Sequence, residues 1–143
     1  MRLPKPTILF TTTIGFKPSS SDFLSTNRVC AKADKLFESY QYVAAIDEYS
    51  KLAEGKNGNE YIYTQLADSY YNVFDAENAS KWFAKATAKG KADAETYYRY
   101  AQTLKVLGTY QEANKQMDVF AKMIPSDARA KEHLANPNYI PSL

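Results

Sequence analysis

This chain is short of the residues that carry reactive chemistry. Among 143 residues there is one cysteine, Cys30, and one histidine, His133. A single cysteine excludes an internal disulfide, and with a single histidine it excludes a Cys/His zinc cluster built from this chain alone. No glycine-rich phosphate loop occurs, and there are only five glycines in all. No apolar run approaches the roughly 18–20 residues that span a bilayer. An excess of one charge is missing too: 18 Lys and Arg stand against 16 Asp and Glu, a net charge of +2. That balance argues against a dedicated nucleic-acid binder, which carries a strongly basic face. No metal, no cofactor and no catalytic group is therefore expected. What is present is aromatic: twelve Tyr and seven Phe within a hydrophobic fraction of 45%. Such a composition belongs to a globular domain with aromatic packing between regular elements, and the length fits one domain.

The small positive excess lies at the N-terminus. Asp22 is the only acid among residues 1–25, against Arg2, Lys5 and Lys17. The apolar groups Ile8-Leu9-Phe10 and Ile14-Gly15-Phe16 faintly resemble a signal peptide, but three threonines interrupt them and no small-x-small cleavage site follows. Pro4, Pro6, Pro18 and Ser19-Ser20-Ser21 break any regular period, so residues 1–25 read as an irregular tail.

From residue 26 onward the sequence repeats. Ala45, Ala79 and Ala113 are spaced by 34 residues, as are Ala33, Ala67 and Ala101. The same spacing relates Leu36, Tyr70 and Leu104, then Tyr49, Phe83 and Met117, and more loosely Leu52, Ala86 and Phe120. A period of 34 with small residues at two places and bulky ones between them matches the tetratricopeptide repeat. The repeats are assigned to 26–59, 60–93 and 94–127. Alanine at the eighth and twentieth places lets two antiparallel helices approach closely, while the bulky positions fill the space beside them. Tyr63, Leu66, Ala67 and Tyr70 form one helical stripe. Val29 and Lys32 replace the usual aromatic and leucine in the first repeat, as suits a partly exposed outermost helix.

Six helices are expected at about 28–39, 42–54, 60–73, 76–89, 94–107 and 110–123, with breaks at Gly55-Lys56-Asn57-Gly58, Gly90 and Gly108. Gly108 suits a left-handed helix end, and Thr109 with Glu112 has the spacing of a capping box. A short helix over 126–135 reads as a C-terminal cap, polar through Arg129, Lys131, Glu132 and His133 and packing through Ala128, Leu134 and Ala135. Residues 136–143, with two prolines, read as an extended exit. The fold class is all-α: a right-handed solenoid of three helix-turn-helix repeats plus a cap, occupying 26–135.

The stretches Ala33–Glu38, Leu66–Tyr71 and Tyr97–Lys105, with Asp127-Ala128-Arg129-Ala130 and Asn136-Pro137-Asn138-Tyr139, resemble the N-terminal repeat domain of OmpA-family outer-membrane proteins of Bacteroidota. The resemblance covers about 31–143. It implies a periplasmic, outer-membrane-associated scaffold, with PorE-like members serving type IX secretion and gliding. In that family a β-propeller and a peptidoglycan-binding domain follow, and Leu143 falls where the linker to the propeller begins. Neither domain lies in this chain, so peptidoglycan binding is not assigned to it. The rival reading is a cytoplasmic chaperone or regulator module.

In tetratricopeptide repeats the second, fifth, ninth, twelfth and thirteenth positions of each first helix face a concave groove. Here those positions include Asp34 and Phe37, then Tyr61, Thr64, Asp68 and Tyr71, then Tyr98, Gln102 and Lys105. Chaperone-binding members of the family hold a C-terminal carboxylate with Lys and Asn at set places, where this chain has Cys30, Asp34, Thr64 and Asp68. The expected groove is acidic and tyrosine-rich; it would repel a carboxylate, which disfavours that ligand class, and suits a neutral or basic protein or peptide segment. His133 reads as a surface residue of the cap and Cys30 as a packing residue. Asp47, Glu48, Asp75 and Glu77 read as solvated helix faces or caps. Arg28, Lys32 and Lys35 read as a solvated basic stripe. The function expected is a non-enzymatic protein-interaction module.

Overall fold

The computed structural model describes the backbone of residues 20–137 and the side chains of residues 29–137. Seven helices follow one another among the described residues: α1 Ser20–Glu38, α2 Tyr42–Glu54, α3 Glu60–Asn72, α4 Ala76–Thr87, α5 Ala94–Val106, α6 Tyr110–Met123 and α7 Ala128–Ala135. Each packs on the next in the chain, and α3 also touches α5. The arrangement is therefore three helix pairs in series with α7 closing the end.

Two differences from expectation lie at the ends. Helix α1 begins at Ser20, earlier than the expected start near residue 28. Residues 20–25 of the supposed irregular tail are thus helical, in keeping with the Ser and Asp that commonly open helices. Residues 1–19 of that tail, and 138–143 of the expected exit, lie outside the described residues. Helix α7 begins at Ala128 with Asp127 as its cap, the carboxylate accepting from Arg129 N–H at 2.8 Å. It packs through Ala130 and His133, whereas Ala128, Leu134 and Ala135 are exposed. Residues 130 and 133 are one helical turn apart and so share a face, which here meets α6: the His133 ring nitrogen Nε2 lies 2.7 Å from an Asp118 carboxylate oxygen. His133 is a buried, paired residue of the cap and not a surface one.

The alanine registers are buried as the repeat requires. Ala45, Ala79 and Ala113 are fully buried, and Ala33, Ala67 and Ala101 almost equally so. Around them run three apolar clusters: Cys30, Tyr49, Ile62 and Leu66 across α1–α3; Ala67, Ala79 and Phe83 within the second pair; and Tyr97, Met117, Phe120 and Ala130 toward the cap. Ala79→Leu should therefore overpack the second pair and cost about 1–3 kcal/mol. Chemical denaturation measures it, and an unchanged midpoint would count against this register.

The turn inside each pair is the same structure three times. Tyr40, Phe74 and Gly108, 34 residues apart, have φ of 63°, 65° and 82°. At each, two backbone N–H groups reach back into the preceding helix: Gln41 to Leu36 and Tyr40 to Phe37, Asp75 to Tyr70 and Phe74 to Tyr71, Thr109 to Leu104 and Gly108 to Lys105. That is a Schellman motif, which satisfies carbonyls the helix end leaves free. Gly108 fills the position without strain, whereas an L-residue in the left-handed region costs roughly 1–2 kcal/mol. Tyr40→Gly and Phe74→Gly should each raise stability by about 1 kcal/mol, read as a higher melting temperature. Thr109 occupies the expected cap position but makes no side-chain capping bond. Its ψ of 68° departs from the extended backbone that N-cap side chains favour.

Candidate peptide-binding groove

The first helices of successive pairs are joined on one face by polar contacts, and three of the expected groove residues, Asp34, Tyr61 and Asp68, take part in them. At the α1–α3 junction, the Tyr49 and Tyr61 hydroxyls both donate to the Asp34 carboxylate, at 2.5 and 2.9 Å. Gln65 donates to the Tyr49 hydroxyl at 3.2 Å. Burial, and then the neighbouring Asp34 carboxylate, push both tyrosines well above the ordinary phenol range, so both remain protonated donors. At the α3–α5 junction, Arg99 donates to Asp68 at 3.0 Å. At the α5–α7 junction, Arg129 makes a two-pronged contact with Glu95 at 3.2 Å on each arm and also holds Asp127.

Several expected groove residues are placed differently. Asp68 is buried, with one oxygen on Arg99 and the other, Oδ1, without a hydrogen-bond partner. Burial raises its pKa, and the Arg99 cation opposes that rise. Asp68 is thus a junction residue, because its register faces the next pair rather than open solvent. Phe37 packs edge-on against Tyr42 and Tyr49, beside the first apolar cluster. Thr64 donates to the carbonyl of Glu60 in its own helix. Tyr71 is half-buried, edge-on to Phe83. Cys30 is wholly buried, its thiol pushed up to about 11 by desolvation and then by Asp34. That thiol is a packing group, not a nucleophile. Lys32 and Lys35 of the expected stripe are both exposed, and Lys32 is paired with Glu48 at 2.8 Å. The Arg28 side chain lies outside the described residues.

Three expected residues do come together. Tyr98, Gln102 and Lys105 of α5 line a cavity of about 540 Å³, with Asn114 and Met117 of α6 and Arg129 and His133 of α7 on its other sides. The Tyr98 ring packs against Phe120, 5.3 Å away, and the Arg129 guanidinium lies over both rings, 4.3 Å from the centre of Tyr98 and 4.9 Å from that of Phe120. The wall is therefore aromatic, and the amides of Gln102 and Asn114 can each donate and accept beside it. The sequence places Tyr49 in a packing register and Arg129 on the cap, and assigns neither of them, nor Gln65, Arg99 or Asn114, to the groove. Arg99 was accessible as a lone Arg at the sixth place of its repeat, and the others needed the packing. Among the described residues no three His, Cys, Asp or Glu side chains converge as metal ligands. No described helix is long and apolar enough to cross a membrane.

The geometry has two similar structures with ligands bound. The first tetratricopeptide-repeat domain of Spaghetti (RPAP3), bound to the HSP90 peptide SRMEEVD, superposes with a TM-score of 0.65, covering 86% of this chain and 95% of that one at 23% identity. The second such domain of human RPAP3, in complex with the HSP70 peptide SGPTIEEVD, gives 0.68, covering 82% and 98% at 17% identity. The fold is an all-α tetratricopeptide-repeat solenoid. The chain matches no protein-family model and no curated protein. Within the solenoid, the face carrying Asp34, Tyr61, Tyr98, Gln102 and Lys105 belongs to the first helices of the three repeats.

Proposed function

We propose that this tetratricopeptide-repeat chain is a non-enzymatic peptide-binding module whose ligand lies along the first helices and ends in the cavity beside α7. The cavity carries the reading: it combines an aromatic wall, two amides and the Lys105 ammonium at one end of a solenoid whose structural neighbours are bound to peptides. Amides suit a peptide backbone, and aromatic rings supply contact area at low entropy cost. The charge along the face is graded. Asp34 stands at the α1–α3 end with two tyrosine hydroxyls on it, Asp68 is compensated by Arg99, and Lys105 stands at the far end. A neutral or basic segment fits the first end, as the sequence suggests, while the second, lined by both Lys105 and Glu132, suits a polar segment without net charge.

The test separates binding from folding. Tyr71→Ala and Tyr98→Ala remove rings that also touch Phe83 and Phe120, so both should melt lower as well as bind less well. Gln102→Ala and Lys105→Glu alter half-buried polar groups. They should leave the melting temperature within a degree or two, yet weaken short phage-displayed peptides selected on the native chain by about tenfold or more. Peptides retained by both variants would put the ligand elsewhere.

The resemblance to OmpA-family repeat domains supports a periplasmic, outer-membrane-associated scaffold with a secretion or gliding component as partner. The peptides bound in the two structural neighbours favour the second reading, a cytoplasmic chaperone-type or regulator module. Fractionating cells that make the full gene product decides between them, since recovery in the cytoplasm excludes the first.

A further inference from the structure

The intra-repeat turns carry a feature that the groove does not use. At two of the three left-handed positions the residue is a large aromatic, and both rings stand in water: Tyr40 is 78% exposed and Phe74 93%. Both positions therefore combine backbone strain with exposed apolar area, and glycine, which the third turn uses, would remove both. Around them Val43 is exposed, and Tyr40, Val43 and Asp47 share a shallow depression with Val73 of the next turn. The first two turns thus form one surface, and Val106 and Leu107 extend its apolar character to the third. Strain retained together with a contiguous exposed apolar patch marks an interaction surface.

Its charge says what covers it. Glu38, Asp47 and Glu77 are exposed on this edge, and none forms an ion pair with another described residue. No Lys or Arg occurs in residues 36–50 or 70–80, and the exposed Lys35, Lys51 and Lys81 flank these stretches one helical turn from Glu38, Asp47 and Glu77, unpaired with them. A second copy of the chain docked through this edge would set carboxylates against carboxylates, which disfavours self-association. We propose that the turn edge of the first two repeats docks a basic, apolar segment of a partner protein. Its Leu or Phe side chains cover Tyr40, Val43 and Phe74, while its Lys or Arg side chains meet Glu38, Asp47 and Glu77. This surface is separate from the groove, and the two stand or fall apart.

The test selects short random peptides displayed on phage against the full chain, then compares variants. Peptides rich in Lys or Arg with Leu or Phe are expected, losing about tenfold or more in affinity on the Tyr40→Gly/Phe74→Gly variant, which should melt no lower than the native chain. The same peptides should be lost on Asp47→Lys/Glu77→Lys, weaken with added salt, and bind normally to Lys105→Glu. If the glycine variant melts lower, the charge-reversal variant decides alone. Failure to select such peptides, an acidic consensus, or undiminished binding to Asp47→Lys/Glu77→Lys overturns the proposal. Loss on Lys105→Glu instead assigns the peptides to the groove, and also overturns it.

Discussion

Phe83→Ala is expected to cost about 3–5 kcal/mol, the range for deleting a large aromatic from a core. Phe83 has no exposed surface. Its ring meets Tyr71 edge-on at 6.2 Å and stacks on Tyr100 of the following repeat at 5.9 Å. It therefore belongs both to the second repeat and to the interface with the third. In a solenoid, stability is approximately a sum of repeat terms and nearest-neighbour terms, so one truncation weakens two of them. Urea denaturation followed by circular dichroism should show a lower midpoint and a broader transition. Hydrogen exchange should show α5 and α6 opening ahead of α1–α3. A variant that unfolds in one sharp step at the native midpoint would refute this account of the junction.

Arg99→Met should cost about 2–3 kcal/mol at neutral pH. Breaking a wholly buried pair costs about 3–5 kcal/mol, and the figure here is lower because the Arg99 side chain is 37% exposed and screened by water. The pH dependence identifies the cause. Burial already raises the folded pKa of Asp68, and Arg99 restrains the rise; without the cation it climbs further. A carboxyl whose folded pKa lies above its unfolded value, about 3.9, destabilises the fold only where it must ionise. Below the unfolded pKa the group is protonated in both states, and the electrostatic part of the loss vanishes. As pH rises from there toward the folded pKa the loss grows, and above it the loss is complete. Denaturation at about pH 3 and pH 7 tests this, and Asp68→Asn in the Arg99→Met background should recover most of the neutral-pH loss. An equal loss at both pH values would mean that Arg99 acts by packing alone.

The bounds of α2 and α6 are legible in the sequence to the residue, because close helix pairing forces alanine at fixed places and bulky residues beside them. A second signal of the same kind lies in the polar residues: Asn59, Asp93 and Asp127 are also 34 apart and each precedes a helix. The left-handed turns were legible only at Gly108. Tyr40 and Phe74 carry no residue preference for that conformation, and the backbone alone reveals it. The groove was less legible than the fold. Side-chain position on a helix tells which face Asp68 or Phe37 occupies, but not that Arg99 of the next pair meets the first or that Tyr42 and Tyr49 of α2 cover the second. Asp68 finds its counter-charge 31 residues away, and Tyr61 reaches Asp34 across 27. Such pairings depend on the offset between repeats, which periodicity leaves open.

The three polar links between first helices also make the solenoid a spring. The Tyr61–Asp34, Arg99–Asp68 and Arg129–Glu95 contacts each span one junction on the same face. The Phe83–Tyr100 stack also crosses a junction, between the second and third pairs. Flexing the coil stretches or slackens these tethers before it disturbs the buried alanines. Curvature therefore couples these tethers to the apolar contacts that cross the same junctions, among them the Phe83–Tyr100 stack and the buried cluster of Cys30, Ile62 and Leu66.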